Sequence, residues 1–229
     1  MTILNDASEV YVGAAKAQRI YLGSNLIWPV PWVVDSFGRS TGIVMNLTGV
    51  KAGDLQISAV TTGLLTFATG PAGYTQLGAG GISDPTGTTN DCTMLLFAKV
   101  AAADNEQIPA NTGGRTFGVA IRDVDTAEFF ANLNILYDVT PGTNYVWPAL
   151  TTRRNPSLVL GISRRTGTGQ SVIPNMTQLD QANPGSAEMR VASTSFPVAS
   201  YPGGITSGIG VSSGRVAAVL EIPGKIITP

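Results

Sequence analysis

The spacing of chain breakers is the feature that most constrains this sequence. Its 229 residues include 27 Gly and 14 Pro, and only two stretches longer than twenty residues lack both, 88–108 and 119–140. Helices need room between breakers, whereas strands of four to eight residues fit easily between them. In the first long stretch, Cys92–Val100 is apolar, rich in strand formers and followed by the polar run Asp104-Asn105-Glu106-Gln107, so it reads as a strand. The second begins with strand-like Val119-Ala120-Ile121-Arg122, and Asp125 is placed to N-cap one or two helical turns leading to Leu133. The remaining apolar segments are short: 42–47, 55–60, 64–68, 158–162, 189–192 and 216–222. Many short strands with Gly/Pro punctuation predict an all-β chain, a jelly-roll-like β-sandwich.

The chain also repeats itself. Asp54-Leu55-Gln56-Ile57-Ser58 and Pro71-Ala72-Gly73-Tyr74-Thr75-Gln76-Leu77 return as Ser157–Ser163 and Pro174-Asn175-Met176-Thr177-Gln178-Leu179. Gly114-Arg115-Thr116-Phe117 returns as Gly214-Arg215-Val216-Ala217. An offset near one hundred residues predicts an internal pseudo-repeat, with two halves of one strand order. No polar linker divides them, and Tyr145-Val146-Trp147-Pro148 at the junction is too apolar for solvent, so one domain spanning 32–229 is expected.

Residues 1–31 differ. Val10-Tyr11-Val12-Gly13 recurs as Ile20-Tyr21-Leu22-Gly23, followed by Leu26-Ile27-Trp28 and then Pro29 and Pro31. Three short strands joined by tight turns fit this pattern. So small a β-ribbon buries too little to stand alone, so its apolar residues must pack on the sandwich or on another chain. The second option makes Val10, Tyr11, Val12, Ile20, Tyr21, Leu22, Leu26, Ile27 and Trp28 the candidate attachment residues.

Composition narrows the chemistry. Charged residues are 13% of the chain and the net charge is −1, so no bulk attraction to nucleic acid or membrane is expected. No window approaches the eighteen apolar residues of a membrane-spanning helix, and Met1–Asp6 does not open like a secretory leader. Histidine is absent and Cys92 is alone, which removes Ser-His-Asp catalysis, His-ligated zinc and any intrachain disulfide. Gly210-Val211-Ser212-Ser213-Gly214 matches a nucleophile-elbow pattern but has no histidine base, so it reads as a turn before the last strand.

Asp123 and Asp125, with Asp104 and Glu106, form a possible oxygen set for Ca²⁺, against the simpler reading of a cap and a solvated turn. Paired acids for glycoside cleavage would have to come from residues such as Asp84, Asp91 and Asp180, which the sequence cannot bring together. Arg153-Arg154 and Arg164-Arg165 flank Ser157–Ser163 and read as the solvated ends of a strand. Asn46-Leu47-Thr48 and Asn175-Met176-Thr177 are glycosylation sequons only in a secreted eukaryotic chain. The expectation is a non-enzyme with no metal or cofactor. Tyr74 and Tyr201 are candidate ligand-facing loop residues able to stack on sugar, while Trp147 is expected in the core.

The doubled Val-Tyr-Val-Gly and Ile-Tyr-Leu-Gly-Ser with Ile27-Trp28-Pro29 resembles the N-terminal segment of minor tail and other virion structural proteins of long-tailed bacteriophages. The rest resembles the β-sandwich those proteins often carry, in Ala52-Gly53-Asp54-Leu55, Pro71–Thr75, Leu96–Ala101, Ala120–Asp125, Thr151–Leu160 and Ser213-Gly214-Arg215. The resemblance implies a structural part of a phage virion. Its place would be the tail tip, baseplate or fibre, with capsid decoration as an alternative. Such a part is made in the bacterial cytoplasm, joined to other virion proteins through the N-terminal strands, and assembled as a homo-oligomer with a trimer favoured. A lectin-like module binding host-surface carbohydrate is the second reading.

Overall fold

The computed structural model describes residues 11–12, 15–16, 20–22, 25–28, 31–39, 45–62, 70–82, 92–109, 115–127, 132–138, 142–154, 157–166, 173–182, 187–194, 198–212 and 214–225. The described strands, in chain order, begin with β1 (Tyr11–Val12), β2 (Ala15–Lys16), β3 (Ile20–Leu22) and β4 (Asn25–Trp28). Then come β5 (Trp32–Arg39), β6 (Leu55–Thr62), β7 (Thr75–Ile82), β8 (Cys92–Val100) and β9 (Arg115–Arg122). The second half adds β10 (Leu133–Asp138), β11 (Gly142–Trp147), β12 (Leu150–Thr151), β13 (Ser157–Thr166) and β14 (Thr177–Ala182). It closes with β15 (Ala187–Ser193), β16 (Ser200–Tyr201), β17 (Gly204–Ser212) and β18 (Arg215–Pro223).

The all-β sandwich is present. One antiparallel sheet runs β5-β9-β6-β8-β7 and the other β10-β18-β13-β15-β14. Replacing each strand of the first by its counterpart in the second reproduces the same order, so the repeat in the sequence is a repeat of topology. The winding differs from a jelly roll, in which both sheets draw strands from both halves of the chain: here each half keeps to one sheet. Of the helical turns expected after Asp125, residues 128–131 lie outside the described residues; the described part is a turn in which Ala127 N–H donates to Asp125 Oδ1 at 3.1 Å. The three-stranded ribbon is instead two hairpins, β1–β2 and β3–β4, each paired within itself. Val10 and residues 64–68 lie outside the described residues.

Register makes the repeat exact enough to correct the sequence comparison. Leu55 faces Ile121, and Leu158 faces Ile222, so Ile121 corresponds to Ile222 and Arg115 to Val216. The apparent echo of Arg115 in Arg215 is therefore one residue out of step, and in a strand one residue exchanges the two faces. The turn into the next strand recurs, although its prolines do not coincide: Pro71 is the first residue of one turn and Pro174 the second of the other. Tyr74 N–H closes a turn on Pro71 O at 3.1 Å and Met176 N–H closes one on Ile173 O at 3.4 Å. The third residue of each has positive φ, +81° at Gly73 and +56° at Asn175, the conformation that Gly and Asn tolerate best. Just beyond, β7 and β14 each carry a bulge at the same place, Leu77 and Leu179, and both leucines pack on the shared core.

That core lies between the sheets. Leu55, Ile57, Leu96, Phe117 and Val119 from one half meet Leu160, Ile162, Val191, Val216 and Leu220 from the other. The halves also join at one end, where Val124 bridges Gly224, Asp125 N–H donates to Pro223 O at 2.8 Å and Lys225 N–H donates to Asp123 O at 3.0 Å. The second sheet is buried on its outer face too. Tyr145, Trp147, Leu150 and Tyr201, carried on β11, β12 and β16, close over Val159, Ala217 and Val219. Strands buried on both sides read as continuous apolar runs, which is why 158–162 and 216–222 do not alternate.

The return from β16 to β17 depends on Gly203. Its φ is +73°, and a Cβ there would lie 2.6 Å from Trp147 O and 2.9 Å from Ala149 N, both fixed backbone atoms. Gly53 has φ +91° with open space around it. Gly53→Ala should therefore cost only the left-handed strain of about 1–2 kcal/mol. Gly203→Ala should cost roughly twice that or more, because main chain must also move. Urea unfolding of the two variants measures the difference; equal midpoints would contradict it.

Candidate attachment surface

The N-terminal strands enter the sandwich through Trp32, the first residue of β5. Its ring lies 5.2 Å from the Arg122 guanidinium, which the β5–β9 register places directly opposite. Arg122 in turn holds Asp54 with two hydrogen bonds, Nε to Oδ1 at 2.9 Å and Nη2 to Oδ2 at 2.8 Å, and Nη2 also donates to Gly49 O at 2.8 Å. Asp54 is buried, and its Oδ2 further accepts from Lys51 N–H at 2.7 Å. The bidentate bond to Asp54 raises the guanidinium pKa above its ordinary value. A planar fork fixed on a buried carboxylate makes a rigid platform for an aromatic ring. The point where the N-terminal strands join the sandwich is thereby tied to the start of β6.

Of the candidate attachment residues, Tyr11, Val12, Ile20, Tyr21, Leu22, Leu26, Ile27 and Trp28 all lie on β1, β3 and β4. Among the described strands, β1–β4 pair only with one another and extend neither sandwich sheet. The two loop tyrosines fare differently. Tyr201 is 1% exposed, its hydroxyl donates to Pro174 O at 3.1 Å, and burial pushes its pKa up to about 12. It belongs to the outer core of the second sheet and does not face a ligand, because β16 folds it under Ile173 and Trp147. Tyr74 is half-buried; its hydroxyl donates to Gln56 Oε1 at 2.6 Å and its ring sits 6.0 Å from Lys99 Nζ. Burial, and secondarily the charge of Glu106, raise its pKa. Trp147 is buried as expected, its ring 5.4 Å from that of Tyr145.

The acidic residues are distributed among separate bonds. Asp104 accepts from Lys51 Nζ at 2.8 Å and Ala52 N–H at 3.0 Å; Glu106 pairs with Lys99; Asp125 pairs with Arg154. The hydrogen bond from Lys51 lowers the Asp104 pKa, and that from Lys99 lowers the Glu106 pKa. Asp104, Glu106, Asp123 and Asp125 do not converge, and among the described residues no group of three or more acids, Cys or His is placed to hold a metal ion. Asp84 and Asp91 lie outside the described residues, whereas Asp180 turns back on Gln181 N–H at 2.7 Å.

The arginine pairs are also more buried than a solvated strand end. Arg164 and Arg165 are 4% and 2% exposed, Arg165 opposite Glu188 and Arg215 and Arg164 opposite Met189 and Val216 on the neighbouring strands; Arg153 alone of the four is exposed. Burial lowers the Arg165 pKa, and the Glu188 charge counters it. Gly210–Gly214 falls where β17 ends and β18 begins, so the nucleophile-like pattern joins two strands. Among the described residues the most exposed large apolar side chains are Ile205, 66% exposed, and its cross-strand partner Val146, 43% exposed.

The sequence did not single out Trp32, Arg122 and Asp54 as a unit. Arg122 and Asp54 are 68 residues apart, and only the shared β6–β9 pairing brings them together. Comparison of the chain with protein-family models, curated proteins and solved structures returns no match.

Two consequences are measurable. Arg122→Ala strands the buried Asp54 carboxylate and should cost roughly 2–3 kcal/mol, a breaking penalty discounted for the partly exposed guanidinium. It should also quench the environment of Trp32, read by tryptophan fluorescence. Glu221 is buried on β18; burial raises its pKa, but hydrogen bonds from Arg153 N–H, Asn132 Nδ2, Ser157 Oγ and Arg154 N–H outweigh burial and leave it below the ordinary value. A carboxylate depressed in the folded state stabilises above its unfolded pKa, and the contribution is lost as pH falls through the folded one. Unfolding free energy should therefore drop between about pH 5 and pH 3, and less steeply in Glu221→Gln.

Proposed function

We propose that the chain is a non-catalytic assembly module of a phage-type virion, at a tail tip, baseplate or fibre, that joins its neighbours through the N-terminal strands. The observation that carries this reading is the self-contained pairing of β1–β4: both five-stranded sheets are complete without them. Short hairpins of Tyr, Val, Ile, Leu and Trp do not hold themselves together in water, so they need a surface to cover them. The rigid Trp32–Arg122–Asp54 anchor suits a segment that transmits load from such a contact into the sandwich.

The sandwich fits the same role. Non-local antiparallel pairing folds and unfolds slowly, which favours a long-lived particle component. Arg122, Arg154, Arg190 and Arg215 are engaged in structural ion pairs with Asp54, Asp125, Glu188 and Asp138, and the sequence has no histidine to serve as a general base near neutral pH. Burial of Tyr201 removes one of the two aromatics on which carbohydrate recognition rested, so the lectin reading is not retained. A capsid-surface location would use the same strands and the same sandwich.

Removing residues 1–31 tests the proposal. The truncated chain should remain folded, with unfolding midpoint within about 1 M urea of the full chain, yet fail to enter particles when it replaces the full chain during assembly. Normal incorporation of the truncated chain contradicts the attachment role. Imaging of labelled chain on intact particles separates tail from capsid.

A further inference from the structure

An edge strand offers unpaired N–H and C=O groups to any other strand, and proteins blunt such edges with bulges. Among the described residues the two sandwich sheets have four edge strands, β5, β7, β10 and β14. Three of them are bulged on the edge itself, β5 at Val34, β7 at Leu77 and β14 at Leu179. β10 pairs with β18 without interruption from Leu133↔Leu220 to Asp138↔Arg215. The pseudo-repeat makes this difference pointed, because β10 is the counterpart of bulged β5.

The hydrogen-bond phase of β10 follows from one contact. Glu221 N–H donates to Asn132 O at 3.0 Å. Hydrogen-bonded pairs alternate along an antiparallel ladder, so Asn134, Leu136 and Asp138 exchange bonds with β18, and the backbone groups of Leu133, Ile135 and Tyr137 point away from it. Their side chains meanwhile pack on the shared core, which fixes the strand. No backbone group among the described residues pairs with that outward row. Beside it, Leu136 is 38% exposed.

We infer that the open edge of β10 receives the β3–β4 hairpin of a second copy of the chain, as an added antiparallel or parallel strand. Reach selects another copy over the chain's own hairpin. β5 packs near β14 at one side of the sandwich, and β10 packs near β7 at the other, with the Leu133 side chain seated over Gly78. Crossing the first sheet from β5 to β7 takes four strand spacings, about 19 Å. From Trp28 to Trp32 the chain spans at most about 14 Å. The hairpin that leaves one edge thus meets the opposite edge of a neighbour. Such a head-to-tail contact closes into a ring or extends as a filament. The added ladder supplies affinity and the apolar residues of β3 and β4 supply area, the usual division in strand addition. This inference rests on the attachment reading above and names its partner.

The test uses the full chain and two variants at one position. Ile135→Ala removes core packing but keeps the outward N–H. Ile135→Pro also deletes that N–H, at a site whose N–H does not pair with β18, so the ladder inside the sandwich survives. Sedimentation should show an oligomer for the full chain and for Ile135→Ala, with the dissociation constant of Ile135→Pro higher than that of Ile135→Ala by about tenfold or more. In a Cys92→Ser background, chains carrying Leu136→Cys are mixed with chains carrying one cysteine in place of a residue of β3 or β4. A disulfide between the two chains should form for at least one position, since it requires Cα atoms within about 7 Å. This pairing remains decisive if Ile135→Pro does not fold. A monomeric full chain overturns the inference, as does an oligomer that forms no such disulfide. Loss of particle entry on deleting residues 1–31, with an unaffected oligomer, would leave the attachment role standing and point it at a different protein.

Discussion

The interaction on which everything else depends is the face-to-face burial of two sheets, neither of which has an alternative. Each half of the chain makes one twisted five-stranded sheet with a row of apolar side chains on one side, and a lone sheet of that kind cannot shelter the row from water. Leu55, Ile57 and Val119 are covered only because Leu160, Ile162 and Leu220 come from the other half to meet them. A shared core of this type makes the halves mutually obligatory even though the chain passes between the sheets through the short segment between β9 and β10. The bridge between Val124 and Gly224 ties the two sheets where their last strands end.

Once the central layer is fixed, the outer faces are free to differ. The second sheet is roofed by β11, β12, β16 and β17, whose Tyr145 hydroxyl reaches Arg164 O at 2.7 Å and also bonds Val216 O. On the first sheet, Met45, Leu47, Val50 and Ile108 pack over Ala120. Polar groups are drawn into this work: Glu221 gathers the Arg153–Arg154 turn, and Asn132 and Asn134 reach the carbonyls of Thr151 and Ala149. Low charge content is consistent with such a design, since a buried charge requires a dedicated partner.

The fold class was legible because Gly and Pro spacing leaves little room for helices, and because Leu55-Gln56-Ile57 and Leu158-Val159-Leu160 announce equivalent strands. The turns were legible for the same local reason: Gly73 and Asn175 supply the positive φ that follows Pro71 and Pro174. What could not be read was anything set by pairing between distant strands. Arg115 and Arg215 look equivalent in sequence, but the register with β6 and β13 separates them by one residue and hence by a face. Arg164 and Arg165 look like solvent-seeking charges, and Tyr201 like a loop aromatic, because burial is decided by β15, β16 and β18 arriving from elsewhere.

The repeat also separates what the fold needs from what it does not. Features present in both halves, the strand order, the matched turns and the bulges at Leu77 and Leu179, are sufficient to build the sandwich and blunt its edges. Features present once require a different explanation. The hairpins before Trp32 have no counterpart between β9 and β10, and β10 lacks the bulge that its equivalent β5 carries at Val34. Both departures concern the same strand position in the two halves, and among the described residues neither the hairpins nor the outer edge of β10 pairs with a further strand of the sandwich. In the assembly proposed above they would give one copy a donor of strands at one edge and an acceptor at the other, which is the minimum that head-to-tail assembly of a single kind of chain requires.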